Sequence, residues 1–272
     1  MNNNFIDRYS IKPNSTRLRS ISLSTLMISI LLLTGCQSNV KTAHEEKQIK
    51  RAKIHYQIGL DALHKNQLPK AFEELMRSEK IDPKQPDVLD ALAYAWRLRG
   101  NLKKSELYYK RAIRAGAKSA TYNNYGSLLL EMKRFADAKI QLEKALEDPR
   151  YRNQFIAYIN LGDALLGLKK FDDAIETYRK ATAFNPKQLL SRLKEAQAYV
   201  ASDRLNYARA LYETMFREDK KNRTIIAGLL EVLALQKDHA TALAQLKIFI
   251  TESVSSLDRA WAADELAKLN RR

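Results

Sequence analysis

A small residue returns at nearly constant spacing along this chain. The small residues are Ala71, Ser105, Ala138, Ala174, Ala208 and Ala242, and the intervals between them are 34, 33, 36, 34 and 34 residues. A fixed period in the range of about 20–50 residues marks repeat proteins, in which each unit buries its apolar face against its neighbours. Chance helical periodicity imitates one such unit but not six small residues at the same point. The recurrence therefore predicts a stack of similar helical units.

The clearest unit, residues 155–188, resembles a tetratricopeptide repeat, a pair of antiparallel helices that we call A and B. Its consensus residues are Tyr158, Leu161, Gly162, Leu165, Ala174, Tyr178, Ala181 and Pro186. Gly162 and Ala174 are expected to be small because helices A and B cross closely there. Pro186 is expected to end helix B because proline has no backbone N–H to donate.

The same template fits five further segments of the chain. They are 52–85, 86–118, 119–152, 189–222 and, in a degenerate form, 223–256. Only 8 glycines and 6 prolines occur in the whole chain, which argues against long loops and many strand turns. We therefore predict an all-α superhelical solenoid of six helix-turn-helix repeats over residues 52–256.

Residues 257–272 are predicted to form a capping helix and tail, because a solenoid must cover its last apolar face. Ala262, Leu266 and Leu269 fall at i, i+4 and i+7, which places them on one face of a helix. Trp261 is expected to pack beside them.

The single cysteine of the chain, Cys36, follows an apolar run from Ile21 to Leu33. The residues before that run include four basic ones, Arg8, Lys12, Arg17 and Arg19. A basic flank, a short apolar core and small residues before a cleavage point are the parts of a secretory signal. Thirteen helical residues cover roughly 20 Å, which is too short to cross a hydrocarbon core of about 30 Å.

The sequence Leu33-Thr34-Gly35-Cys36 resembles the lipobox of bacterial lipoproteins. This resemblance implies that residues 1–35 are a signal peptide, that Cys36 receives a diacylglycerol and an N-acyl chain such as palmitate, and that residues 36–51 form a tether. Helix one is expected to begin near Lys47. Gln37 and Ser38 replace the aspartate that retains such proteins in the inner membrane, which favours an outer-membrane anchor facing the periplasm.

The residue pattern does not predict an enzyme. No second cysteine is available for an internal disulfide or for catalysis, and the four histidines lack metal-ligand spacing. We therefore expect no cofactor, metal or small-molecule substrate. The formal charge is +16, and removal of residues 1–35 leaves about +13. For an exported lipoprotein this charge points away from nucleic acid, and it leaves anionic lipid, an acidic protein segment or a solvated surface as interpretations.

A solenoid of this kind offers a concave groove that is lined mainly by its A helices. Such a groove accepts an amphipathic helix or an extended peptide, although intramolecular packing is an equal alternative for each residue. The predicted groove residues are Tyr56, Leu60, Leu63, His64, Tyr94, Arg97, Leu98, Asn123 and Ser127.

The lipobox, the short tether and the six repeats together resemble the PilF/PilW family of type IV pilus biogenesis lipoproteins. The most specific part is the segment 123–129, Asn-Asn-Tyr-Gly-Ser-Leu-Leu, followed by Lys133-Arg134-Phe135. The resemblance implies a pilotin, which binds the secretin subunit of the pilus machine and promotes its multimerisation in the outer membrane. Two alternatives are a repeat-containing lipoprotein of β-barrel assembly and an adaptor for cell-wall hydrolases.

Overall fold

The computed structural model describes residues 43–186 and 188–270, and these ranges contain thirteen α-helices and no strand. The residues from Gln48 onward form one compact unit, and of the preceding unit only the start of the first helix is described. The helices are α1 (Ala43–His64), α2 (Leu68–Ile81), α3 (Pro86–Leu98), α4 (Leu102–Arg114), α5 (Ser119–Glu131), α6 (Phe135–Leu146), α7 (Gln154–Gly167), α8 (Phe171–Phe184), α9 (Leu189–Ala201), α10 (Leu205–Glu218), α11 (Arg223–Leu235), α12 (His239–Glu252) and α13 (Ser256–Asn270).

Helices α1 to α12 form six A/B pairs, and the odd-numbered helices are the A helices. From α2 onward each helix packs against the next one along the chain. The A helices α3, α5, α7 and α9 also contact one another in succession, which gives a continuous A-helix surface. The predicted all-α tetratricopeptide solenoid with a C-terminal capping helix is confirmed.

The small residues mark the crossing point of helices A and B, as expected. All six small residues of the 34-residue period are at most 1% exposed. A Cβ added to Gly59 would lie 2.7 Å from the Leu75 side chain, and one added to Gly126 would lie 2.5 Å from Leu142. Because protein interiors are close-packed, a larger side chain at these points forces the two helices apart.

The turn between helices A and B has the same backbone form in all six repeats. One residue per turn has a positive φ: Asn66, Gly100, Lys133, Lys169, Asp203 and Lys237. The amide of the following residue donates to the carbonyl five residues earlier, as in Gln67 N to Ala62 O at 2.8 Å and Lys170 N to Leu165 O at 2.9 Å. This is the left-handed ending of an α-helix, and glycine occupies it in only one repeat.

The two ends of the described chain differ from each other. At the C-terminal end α13 packs against α12, with Ala262 fully buried and the Trp261 ring 5.8 Å from that of Phe249. At the other end α1 begins at Ala43, so the expected start near Lys47 is wrong and residues 43–51 are helical rather than a tether. Glu45 and Glu46 lie in the first turn, where the helix dipole stabilises negative charge.

The predicted signal peptide, the lipobox and Cys36 lie outside the residues that the structure describes. Among the helices given above, none combines the length and the apolar character needed to cross a membrane.

Candidate partner-binding groove

The predicted groove residues of the first repeat lie at its A-helix surface but differ in accessibility. Tyr56 and Leu60 are half-buried and pack against a core cluster that includes Leu63 and Phe72. Leu63 is itself only 7% exposed, so it contributes mainly to the core, because helix α2 folds back over it. His64, in the last turn of α1, is exposed.

The second repeat supplies the most accessible apolar part of the groove. Tyr94 and Leu98 lie one helical turn apart on α3 and are 42% and 49% exposed. Leu98 also lines a small pocket of about 210 Å³ together with Leu63, Asn66 and Leu68. The structure therefore brings two predicted residues from successive repeats, Leu63 and Leu98, to one apolar depression.

Three other predicted residues form bonds within the protein. Arg97 donates from Nε to Glu131 at 2.6 Å and from Nη1 to the Ser127 hydroxyl at 3.2 Å. Asn123 is buried, and its side-chain oxygen accepts from Asn160 at 2.9 Å. Arg97 and Ser127 therefore hold each other, and Asn123 offers little surface to a partner.

These bonds belong to a series that connects neighbouring A helices. Asp90 accepts from the Asn124 amide at 3.2 Å and 3.4 Å, and Lys194 lies 2.9 Å from Asp163. Each bond joins residues 30 to 37 positions apart in the chain, which is about one repeat. We call this set of bonds the polar ladder. Its members are Asp90–Asn124, Arg97–Glu131, Arg97–Ser127, Asn123–Asn160 and Asp163–Lys194.

The N-terminal end of the groove has a local negative charge. Asp87 is exposed, Asp90 is partly buried, and neither forms an ion pair within the described part of the chain. Burial raises the pKa of Asp90 to about 6, against hydrogen bonds from Thr121 and Asn124 that lower it. Burial and the two nearby carboxylates raise the pKa of Tyr56 to about 12. In a protein of net charge +16, this acidic spot favours a basic side chain of a partner.

The described residues contain no group of three or more His, Cys, Asp or Glu side chains placed to hold a metal ion. The ladder partners Asn124, Glu131, Asn160 and Lys194 were not among the predicted site residues. Each of these partners lies about one repeat from a predicted or neighbouring groove residue in the sequence. That spacing alone does not show which side chains bond to the next A helix.

The comparisons with known proteins agree with this architecture. Residues 118–187 match the family model of the tetratricopeptide repeat. The type IV pilus assembly protein PilF of Pseudomonas aeruginosa is 28% identical over 204 residues, which cover 72% of this chain and 80% of that protein. An uncharacterized protein of Haemophilus influenzae is 26% identical over 138 residues, which cover 50% of this chain and 77% of that protein.

Two solved structures extend the likeness to the fold. The structure of P. aeruginosa PilF superposes with a TM-score of 0.64 at 24% identity and covers 80% of this chain and 99% of its own. PilW, described as a widely conserved type IV pilus biogenesis factor, superposes with a TM-score of 0.67 at 17% identity, covering 74% and 93%. The chain therefore has a tetratricopeptide-repeat fold, and it resembles PilF in sequence and in fold, and PilW in fold.

Proposed function

We propose that this protein is a type IV pilus biogenesis factor of the pilotin class, anchored in the outer membrane by lipid on Cys36. It binds the secretin subunit and promotes its delivery and multimerisation there. The observation that carries this proposal is the similarity to PilF, which extends over 80% of that protein's length rather than over one repeat. The lipobox-like sequence ending at Cys36 supports the anchor.

The proposed mechanism is tethering rather than chemistry. Several acyl chains give stable membrane attachment, whereas one chain gives only marginal attachment. The groove then supplies affinity for a secretin segment, and the anchor confines the bound subunits to one surface. Confinement raises their effective concentration and favours assembly without any new contact between them.

The groove points to the chemistry of the bound segment. Tyr94 and Leu98 offer exposed apolar surface on α3, and Asp87 and Asp90 lie on the same helix without an ion pair in the described part of the chain. We expect a segment with one or two apolar side chains and a nearby lysine or arginine. Exposed apolar anchors beside an unpaired charge are typical of a specific peptide-binding surface.

The decisive experiment measures secretin multimers in outer-membrane fractions of the wild type, a deletion strain and a Cys36→Ala strain. We expect multimers to be lost in the deletion strain and lost or misplaced with Cys36→Ala. Normal multimers in the deletion strain would exclude the pilotin function. They would turn attention to the β-barrel and cell-wall adaptor alternatives.

A second experiment separates the groove from the anchor. The double variant Tyr94→Ser with Leu98→Ser changes only exposed side chains, so the fold is retained while apolar contact with the secretin is lost. Leu107→Ser, at a 53% exposed position on α4, is the matched control. Reduced secretin binding by the double variant alone supports the groove. Equal secretin binding by the double variant and the control would exclude the groove as the binding surface.

A further inference from the structure

The first repeat exposes two isoleucines at positions that every later repeat buries. Ile54 is the third residue of its repeat. Its counterparts in repeats two to six are at most 6% exposed, and they are Val88, Thr121, Ala157, Ser191 and Ile225. Ile58 is the seventh residue of the repeat. Its counterparts are at most 8% exposed, and they are Leu92, Tyr125, Leu161, Glu195 and Leu229. Ile54 and Ile58 are 58% and 36% exposed.

The later positions are buried because the preceding B helix covers them. Helices α2, α4, α6, α8 and α10 each pack against the A helix that follows. Within the described residues no helix precedes α1, so none of the described B helices lies on its equivalent surface. We call this surface, formed by Lys50, Lys53, Ile54, Gln57 and Ile58, the end face.

The end face is an exposed apolar patch with a basic border. Ile54 and Ile58 lie one turn apart, and they share one surface of α1 with Lys50, Lys53 and Gln57. Neither Lys50 nor Lys53 forms an ion pair in the described part of the chain. A terminal repeat normally carries a polar outer face, because an apolar one exposes the stacking surface to water.

We propose that the end face binds an amphipathic helix of another protein, whose apolar stripe lies on Ile54 and Ile58 and whose acidic residues face Lys50 and Lys53. The repeat interface of this chain supports a helix as the occupant, since helix-on-helix packing covers the same two positions five times. The charge of the border supports acidic flanks. The end face lies on α1 outside the groove residues, and this proposal does not rest on the pilus function.

The geometry disfavours a second copy of this chain as the occupant. Head-to-tail stacking would need a free B-helix surface at the other end, but α13 covers α12 there. A two-fold contact between two end faces uses the same patch on both copies, so it places two basic borders at one interface and supplies no acidic residue to either. Like charges opposed across an interface are destabilising.

The test uses two hydrocarbon-stapled peptides based on helix α10, residues 205–218, which in this chain covers Ile225 and Leu229. The first peptide has the natural sequence. The second carries Arg209→Glu and Arg217→Glu, which add acidic side chains but keep the apolar face of Ala208, Tyr212 and Phe216. Binding to the purified full chain is measured by fluorescence anisotropy.

We expect the acidic peptide to bind about fivefold more tightly than the natural one, and Ile54→Ser with Ile58→Ser to weaken its binding about tenfold or more. Lys50→Glu with Lys53→Glu is expected to reverse the order of the two peptides. Leu107→Ser is the matched control and should leave both affinities unchanged. No binding of either peptide, or equal weakening by Leu107→Ser, overturns the proposal.

Two further measurements identify the other possible occupants. The first is co-sedimentation with vesicles of phosphatidylcholine and phosphatidylglycerol. If the wild type co-sediments, the Ile54→Ser/Ile58→Ser variant does not, and the peptides fail to bind, the end face would be assigned to a membrane. Self-association in sedimentation equilibrium that the same variant abolishes would assign it to a second copy. Either result overturns the helix proposal.

Discussion

The guanidinium of Arg97 reaches across one repeat to the carboxylate of Glu131, with Nε and Oε2 2.6 Å apart. Arg97 was predicted to face a partner in the groove, whereas Glu131 was not among the predicted site residues. The pair instead helps to fix the spacing of helices α3 and α5. Surface ion pairs between flexible side chains are weak, and this one is about a third exposed on average.

We predict a coupling energy of about 0.5–1 kcal/mol for Arg97 and Glu131, measured by a double-mutant cycle of Arg97→Met and Glu131→Gln in urea unfolding. The control cycle uses Lys65 and Asp61, a more exposed pair within α1 and its turn, where a smaller coupling is expected. A coupling at Arg97 no larger than the control value would mean that the pair does not join the repeats.

Overpacking the helix crossing is predicted to destabilise the fold strongly. Ala174 is fully buried where α7 and α8 meet, so Ala174→Leu should lower the free energy of unfolding by about 1–3 kcal/mol. Ala183→Leu changes an exposed position of the same helix and should alter the free energy of unfolding by less than about 0.5 kcal/mol. Equal effects of the two changes would show that the crossing tolerates a larger side chain.

The left-handed turn residues predict a stabilising substitution. Lys133 has a φ of 57°, a conformation that costs a non-glycine residue roughly 1 kcal/mol. Lys133→Gly should therefore raise the free energy of unfolding by about 0.5–1 kcal/mol in chemical denaturation. Gly100→Ala, at a φ of 78° with open space around it, is the reverse experiment and should lower stability by a similar amount. A destabilising Lys133→Gly would contradict this account of the turn.

Asp90 predicts a pH dependence of stability with a definite sign. Its pKa is about 6 in the folded protein against an ordinary value of 3.8, so the folded state holds the proton more tightly. The resulting stabilisation is complete below about pH 4 and is lost as the pH rises towards 6. Asp90→Asn, which resembles the protonated form, should be more stable than the wild type by roughly 1–2 kcal/mol at pH 7.5.

The measurement is urea unfolding of both proteins at pH 4 and pH 7.5, with Asp87→Asn as the control because Asp87 is exposed on the same helix. The gain in unfolding free energy of Asp90→Asn over the wild type should be smaller at pH 4 than at pH 7.5. The control Asp87→Asn should change stability by less than about 0.5 kcal/mol at either pH. A constant advantage at both pH values would exclude protonation of Asp90 as the cause.

The sequence was sufficient to predict the repeats, because close helix crossing limits residue size and so leaves a visible pattern at Ala138, Ala174 and Ala208. It was not sufficient to predict the left-handed turns, since lysine, asparagine and aspartate occupy most of them instead of glycine. The start of α1 at Ala43 was missed because polar, charged residues there resembled a tether.

The positions of the predicted groove residues followed in part from the sequence, and their role in binding stays a prediction. The template indicated which surface Tyr94, Leu98, Asn123 and Ser127 share, because position in a repeat fixes the direction of a side chain. It could not show that Asn123 and Ser127 bond to the neighbouring repeat, since that depends on side-chain length and rotamer in two helices at once. Accessible groove surface is therefore concentrated on α3, where no ladder bond occupies Tyr94 or Leu98.

The polar ladder also gives a mechanical connection between repeats. In the described part of the chain its bonds run from Asp90 on α3 to Lys194 on α9, so polar bonds join the successive A helices of repeats two to five. A pulling force applied to a ligand on α3 would therefore be shared among these four repeats. Because each ladder bond is weak by itself, the load would be spread over several of them.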